Sequence, residues 1–171
     1  MSISYEKIED SIVQRLKPFE AMPNFEVMAM PENQAEATKP LLNGRVTVMY
    51  DGSRYEPNGS GMTLMTMDVG LAVQQETVHI KTAIQSRKLR GPFGIYDLIR
   101  IVRNALAGFE PAGGDQLKQI NTQFSRFEEN TWEYVITWGT NVINVPDEPV
   151  TDDPLITSIT LDQNFPIATA E

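Results

Sequence analysis

The sequence contains no cysteine, which excludes thiol nucleophiles, CxxC redox pairs, iron–sulfur clusters, cysteine zinc sites and any disulfide-built scaffold. It has one histidine, His79, so neither an HExxH motif nor a two-histidine metal site can be assembled. Long apolar runs are missing as well. The longest, residues 27–30, falls far short of the roughly 20 residues a membrane helix needs. Glu6, Lys7, Glu9 and Asp10 stand where an export signal would carry a basic start and an apolar stretch, so export is not expected. Basic charge is scarce: 14 Lys and Arg face 23 Asp and Glu, a net charge of -9, and phosphate backbones are repelled rather than attracted. Neither nucleic acid nor membrane is an expected partner. Neither GxxxxGK[ST] nor GxGxxG after a strand occurs, so no nucleotide cofactor is expected, and none of another kind is implied.

What is present is a chain of 171 residues, enough for one domain that buries most of its unfolded surface without a metal or disulfide staple. The acidic excess is uneven. Residues 146–171 carry six acidic groups and no basic one, with Pro146, Pro149, Pro154 and Pro166 among them, a composition that cannot build its own core. The chain therefore divides into a body at 1–145 and an extended acidic arm at 146–171. Within that arm Leu155, Thr157, Ile159 and Leu161 alternate with Ile156, Ser158 and Thr160, a strand-like period inside a coil-like composition.

In the body, Tyr5, Ile8, Ile12, Val13 and Leu16 fall on one helical face, predicting an amphipathic helix over 4–17 that Pro18 ends. Phe25, Val27 and Ala29 alternate with Glu26, Met28 and Met30 in a short strand, and Val46, Val48 and Tyr50 mark a second over 45–50. Residues 51–61 (DGSRYEPNGSG) read as a long irregular loop. Strict alternation over 62–74 predicts a third strand. After a break at 75–77, Val78, Ile80, Thr82 and Ile84 predict a fourth, antiparallel to it. Gly91-Pro92 opens a second helix with proline at its first position, and Ile95, Leu98, Ile99, Val102, Ala105 and Leu106 supply its buried stripe. Strands over 117–127 and 131–145 follow, the second carrying Trp132, Tyr134, Ile136 and Trp138 on one face. The order is α-β-β-β-β-α-β-β: an α+β domain with an antiparallel or mixed sheet and two amphipathic helices packed on one face.

Catalytic signals are weak. His79 lies on the polar phase of its strand beside Lys81, and the paired acids Glu128-Glu129 and Asp152-Asp153 sit in a turn and in the arm, where water keeps both ionised. Eight methionines suit either core filling or an adaptable binding surface. The one basic cluster, Arg87, Lys88 and Arg90 in QSRKLRG, is either a solvated turn or a contact for an acidic partner. The loop at 51–61 is long enough to be a lid over a pocket holding Arg54 and Tyr55, which leaves a small ligand-binding domain or enzyme as the alternative of a different class.

Five stretches together resemble one family: IEDSIVQRLK (8–17), GRVTVMYDGSRYEP (44–57), SRKLRG (86–91), GIYDLIRIVRNALAGFEP (94–111) and WEYVITW (132–138). Their order is similar to that of the tail terminator, or tail completion, proteins of long-tailed bacteriophages, in particular those with Mu-like contractile tails. The resemblance spans roughly residues 5–145. It implies a non-enzymatic subunit of a homo-hexameric ring that caps the tail tube, ends its polymerisation and offers a face for head–tail joining. The implied partners are further copies of itself, the tail tube protein, the sheath protein and the neck or connector protein, and the implied location is the tail–neck junction of a virion assembled in the host cytoplasm. Another neck or tail-tube component is the nearest alternative. The interface residues expected on these grounds are Arg54, Tyr55, Arg87, Lys88, Arg90, Leu155, Thr157, Ile159 and Leu161.

Overall fold

A computed structural model describes residues 4–21, 25–31, 40–41, 43–55 and 74–144. Helix α1 (Tyr5–Leu16) starts at Ser4, whose side chain accepts from the Lys7 N–H, and runs into a 3-10 turn at Lys17–Ala21 that tolerates Pro18. Strands β1 (Phe25–Ala29), β2 (Gly44–Tyr55) and β3 (Gln74–Ser86) follow, then helix α2 (Ile95–Leu106), then β4 (Lys118–Glu128) and β5 (Thr131–Asn144). The sheet order is β1-β2-β3-β5-β4. β1 lies parallel to β2 and every other pair is antiparallel, so the sheet is mixed.

The core is the apolar face of that sheet under both helices. Ile8, Ile12 and Leu16 of α1 and Leu98, Val102 and Leu106 of α2 meet Val46, Val48, Val78, Ile80, Ile84, Ile136 and Trp138. At about 25 cal/mol per Å² of apolar surface, that layer is the main force ordering the chain. Polar groups inside it are satisfied: the Trp138 indole donates to Thr82 Oγ1 at 3.0 Å, and Thr82 Oγ1 donates onward to the Ile136 carbonyl at 3.4 Å. The helices are tied to each other as well. Arg15 Nε donates to the Ala105 carbonyl at 3.1 Å, and its guanidinium lies 5.5 Å from the centre of the Phe109 ring.

Three expectations need correction. Residues 51–55 are not loop: β2 continues through them to Tyr55, because a bulge between Tyr50 and Ser53 absorbs the Asp-Gly pair, with Gly52 at φ +101°. The break at 75–77 does not exist, since all three residues pair with β5 and Glu76 and Thr77 pair with β2 as well. Pro92 is not the first helical residue. It lies in the turn before α2, whose cap is Gly94. The strand expected over 62–74 lies outside the described residues but for Gln74, as do 56–61 of the expected loop and the whole arm at 146–171.

Candidate interaction surface

β5 presents its even-numbered residues to the helices, and the alternation is set by the buried pair Ile136 and Trp138. Toward the start of the strand, Tyr134 and Trp132 share that face and pack, half-buried, against the margin of the core. Opposite them on β4 stand Phe124, paired with Tyr134, and Phe127, paired with Trp132. Two residues three apart would normally point to opposite faces of a strand. Here a register shift between Phe124 and Arg126 inserts one extra residue, Ser125, and puts both phenylalanines on the same side.

The result is a continuous shelf of five rings. Tyr96, at the start of α2, meets Tyr134 edge-on at 6.3 Å between centroids, Tyr134 meets Phe124 at 5.5 Å, Phe124 meets Trp132 at 6.2 Å, and Trp132 meets Phe127 at 4.4 Å. Contacts of this geometry hold the rings to one another. Tyr96, Phe124 and Phe127 nevertheless stay 48–50% exposed. β4 is exposed along nearly its whole length and, among the described residues, is an edge of the sheet with β5 as its one partner strand.

The basic cluster borders this shelf. Ser86 ends β3 opposite Trp132, and Arg87, Lys88 and Arg90 follow at once in the connection to α2, all exposed. That connection is fixed by hydrogen bonds: Ser86 Oγ donates to the Phe93 carbonyl at 3.0 Å, the Lys88 N–H donates to Ser86 Oγ at 3.2 Å, and the Ile95 N–H donates to the Lys88 carbonyl at 2.8 Å. A shallow cleft of about 510 Å³ joins the two features, lined by Arg90, Gly91, Pro92, Tyr96, Asp97 and Arg100. Arg100 is already paired with Asp97 at 2.6 Å, whereas Arg87, Lys88 and Arg90 have no acidic partner among the described residues.

The other residues named from the sequence are not brought to this place. Arg54 is exposed near the end of β2, paired with Thr77, and Tyr55 follows it opposite Glu76. Thr77 and Ser86 stand about 30 Å apart along β3 at 3.4 Å per residue, so Arg54 and the basic cluster occupy opposite ends of the sheet. Of the lid expected at 51–61, residues 51–55 are strand, with Asp51 held by Lys81 at 2.7 Å, and 56–61 lie outside the described residues. Leu155, Thr157, Ile159 and Leu161 lie outside the described residues. His79 is half-buried on the sheet face turned away from α1 and α2, opposite Gly139.

The sheet face turned away from α1 and α2 carries a second pattern that sequence reasoning missed, a row of polar side chains crossing all five strands. Glu26 of β1 accepts from Arg45 of β2 at 2.8 Å, Gln85 of β3 donates to Glu133 of β5 at 2.5 Å, and Ser125 and Arg126 of β4 donate to the same carboxylate at 2.7 and 3.2 Å. Burial alone would raise the Glu133 carboxyl. The hydrogen bonds from Gln85 and Ser125 and the charge of Arg126 outweigh it and hold the group below the ordinary carboxylate value. In the sequence these are unremarkable polar residues on five separated strands, and only the register aligns them.

Among the described residues, the domain is thus a mixed-sheet α+β fold with β4 as an edge strand and an aromatic shelf beside cations that have no acidic partner. Comparison with known proteins gives the family. The chain belongs to the Gp37 protein family, whose model matches residues 12–163. Among solved structures, it is similar to a chain in the virion of a native gene transfer agent particle, with a TM-score of 0.56 and 12% identity, covering 82% of this chain and all of that one. A search of curated proteins gave no significant match.

Proposed function

We propose that this protein is a non-enzymatic structural subunit of a phage or phage-like virion, and more narrowly a tail terminator. In this reading six copies close into a ring on the end of the finished tail tube, stop its polymerisation, and offer a face to the neck of the head. The observation that carries it is β4, among the described residues an edge strand of 11 residues that is exposed along nearly its whole length and carries half-exposed rings. Such an edge invites pairing with another chain, and a soluble monomer would be expected to cover it. Membership of the Gp37 family and a fold shared with a chain of a gene transfer agent virion support the virion assignment. The order of sequence stretches noted above supports the terminator role. A closed ring follows when one head-to-tail contact repeats through a rotation that closes. The tube protein, the sheath and the neck are the neighbours of such a ring, at the tail–neck junction of particles assembled in the host cytoplasm.

Electron microscopy of the purified protein mixed with tail tubes tests this directly. The expected result is six-fold density at one end of each tube and a halt in elongation. Self-polymerisation of the protein into tubes would instead make it a tube component, and tubes left bare would sink the reading.

A further inference from the structure

β5 ends at Asn144, paired with Gln74, so the sequence at 145–171 begins at that end of the sheet. The ring shelf and the basic cluster lie at the other end, where Ser86 pairs with Trp132. Twelve residues of strand separate the two ends, about 40 Å at 3.4 Å per residue. The acidic segment of the sequence thus begins at one end of the sheet, and the exposed cations and rings lie at the other. Two copies related head to tail bring these features together, whereas one copy must run its segment back along its own length.

We propose that residues 155–161 of one copy add as a strand to the outer edge of β4 in a second copy, with the acidic residues before them set against Arg87, Lys88 and Arg90. Charge decides the polarity. Asp147, Glu148, Asp152 and Asp153 precede the strand-like stretch, and the cations lie at the Glu128 end of β4, so the added strand enters there and runs antiparallel to β4. Glu128 at that end is already engaged by Arg126 at 3.3 Å. With Leu155, Ile159 and Leu161 on one face of the added strand, these side chains extend the shelf beyond Phe124 and Phe127, while the backbone takes up the edge groups of β4 that no described strand pairs. Seven residues span about 24 Å of the roughly 37 Å that β4 offers. The Gp37 family match runs to residue 163, which places the stretch within the region the family shares. This inference deepens the reading of the protein as an assembly subunit, and it names the acceptor surface.

The absence of cysteine makes the test clean. Thr122, on the shelf side of β4, is replaced in one batch of full-length chain (Thr122→Cys). Thr157, Ile159 and Leu161, which share the shelf face of the added strand, are replaced one at a time in a second, differently tagged batch (Thr157→Cys, Ile159→Cys, Leu161→Cys). Mixed at high concentration under mild oxidation, at least one pairing is expected to give a disulfide-linked heterodimer, with yield falling at least tenfold when the acceptor also carries Arg87→Glu, Lys88→Glu and Arg90→Glu. Hydrogen exchange on the unmodified protein gives an independent measure: amides of β4 should become protected as concentration rises. No cross-link with any pairing and no concentration-dependent protection would overturn the proposal. So would cross-links that form within one chain of a doubly substituted protein and persist on dilution. Tubes are not needed for these measurements, so contact between copies without tube capping would spare this inference and sink the terminator reading, and capping without contact would do the reverse.

Discussion

At the scale of single residues, the interior places two ionisable side chains against each other. Tyr5 on α1 donates its hydroxyl to the fully buried Glu76 of β3 at 2.9 Å and stacks on Tyr50 at 4.4 Å. Desolvation, then the hydrogen bond and charge of Glu76, push the Tyr5 phenol up to about 12. Its neutral form is therefore favoured by folding, and the contribution is complete below the ordinary tyrosine value of about 10 and lost as pH rises through the folded value. An ultraviolet titration should find one tyrosine ionising last and missing from Tyr5→Phe. The same variant removes a donor from a buried carboxylate and is expected to lower stability by about 1–3 kcal/mol in denaturant unfolding. Glu133 runs the opposite way. Its folded value is depressed, so its contribution is full above the ordinary carboxylate range and disappears as pH falls through the lowered value. Glu133→Gln should therefore be less stable than the parent near neutrality and lose less on acidification, as followed by thermal melts across pH.

At the scale of elements, the connection between β3 and α2 depends on one small residue. A Cβ on Gly94 would lie 2.7–2.9 Å from backbone atoms of Arg90, a contact that no rotamer can relieve. Gly94→Ala should shift the turn that holds Arg87, Lys88 and Arg90 and destabilise the fold by about 1–3 kcal/mol, measurable by chemical denaturation. The elements themselves were largely legible in the sequence. The apolar periods of α1, α2 and the even-numbered residues of β3 and β5 translate directly into burial, because a face that packs against another layer must keep its period. Misreadings arose where the register departs from a plain alternation. The Gly52 bulge hid the far half of β2, and the Ser125 bulge hid the fact that Phe124 and Phe127 face the same way. The basic cluster was visible because its residues are adjacent in the chain. The shelf and the polar row were not, since their members come from elements whose order in the sheet, β1-β2-β3-β5-β4, is not written in any local pattern.

At the scale of the whole molecule, the net charge of -9 makes copies repel at long range, and three exposed cations are a local exception on that background. Reversing them together (Arg87→Glu, Lys88→Glu, Arg90→Glu) should leave the fold intact, since exposed charges in a turn contribute little to stability. Circular dichroism should be unchanged. Assembly on tail tubes, scored as the fraction of capped ends, should be slowed or abolished, with the difference shrinking at high salt as the attraction is screened. Unaltered capping at low salt would return the cluster to an ordinary solvated turn. Removing residues 147–171 should likewise spare the melting of the body while weakening the joined particle.

Glu129 and Asn130, at φ 49° and 58°, close β4 onto β5 through two residues, whereas Ser86 and Trp132, paired across β3 and β5, are drawn from distant parts of the chain. A short loop closes at small entropic cost and a hairpin forms within microseconds, so β4–β5 should be among the first pairings made when the chain folds. β4 adds little to the buried core, so it is also a pairing the core can lose most cheaply. Under mechanical load, a subunit gripped along that edge would yield by letting one hairpin strand peel away and re-close, leaving the layer of helices on β1, β2, β3 and β5 undisturbed.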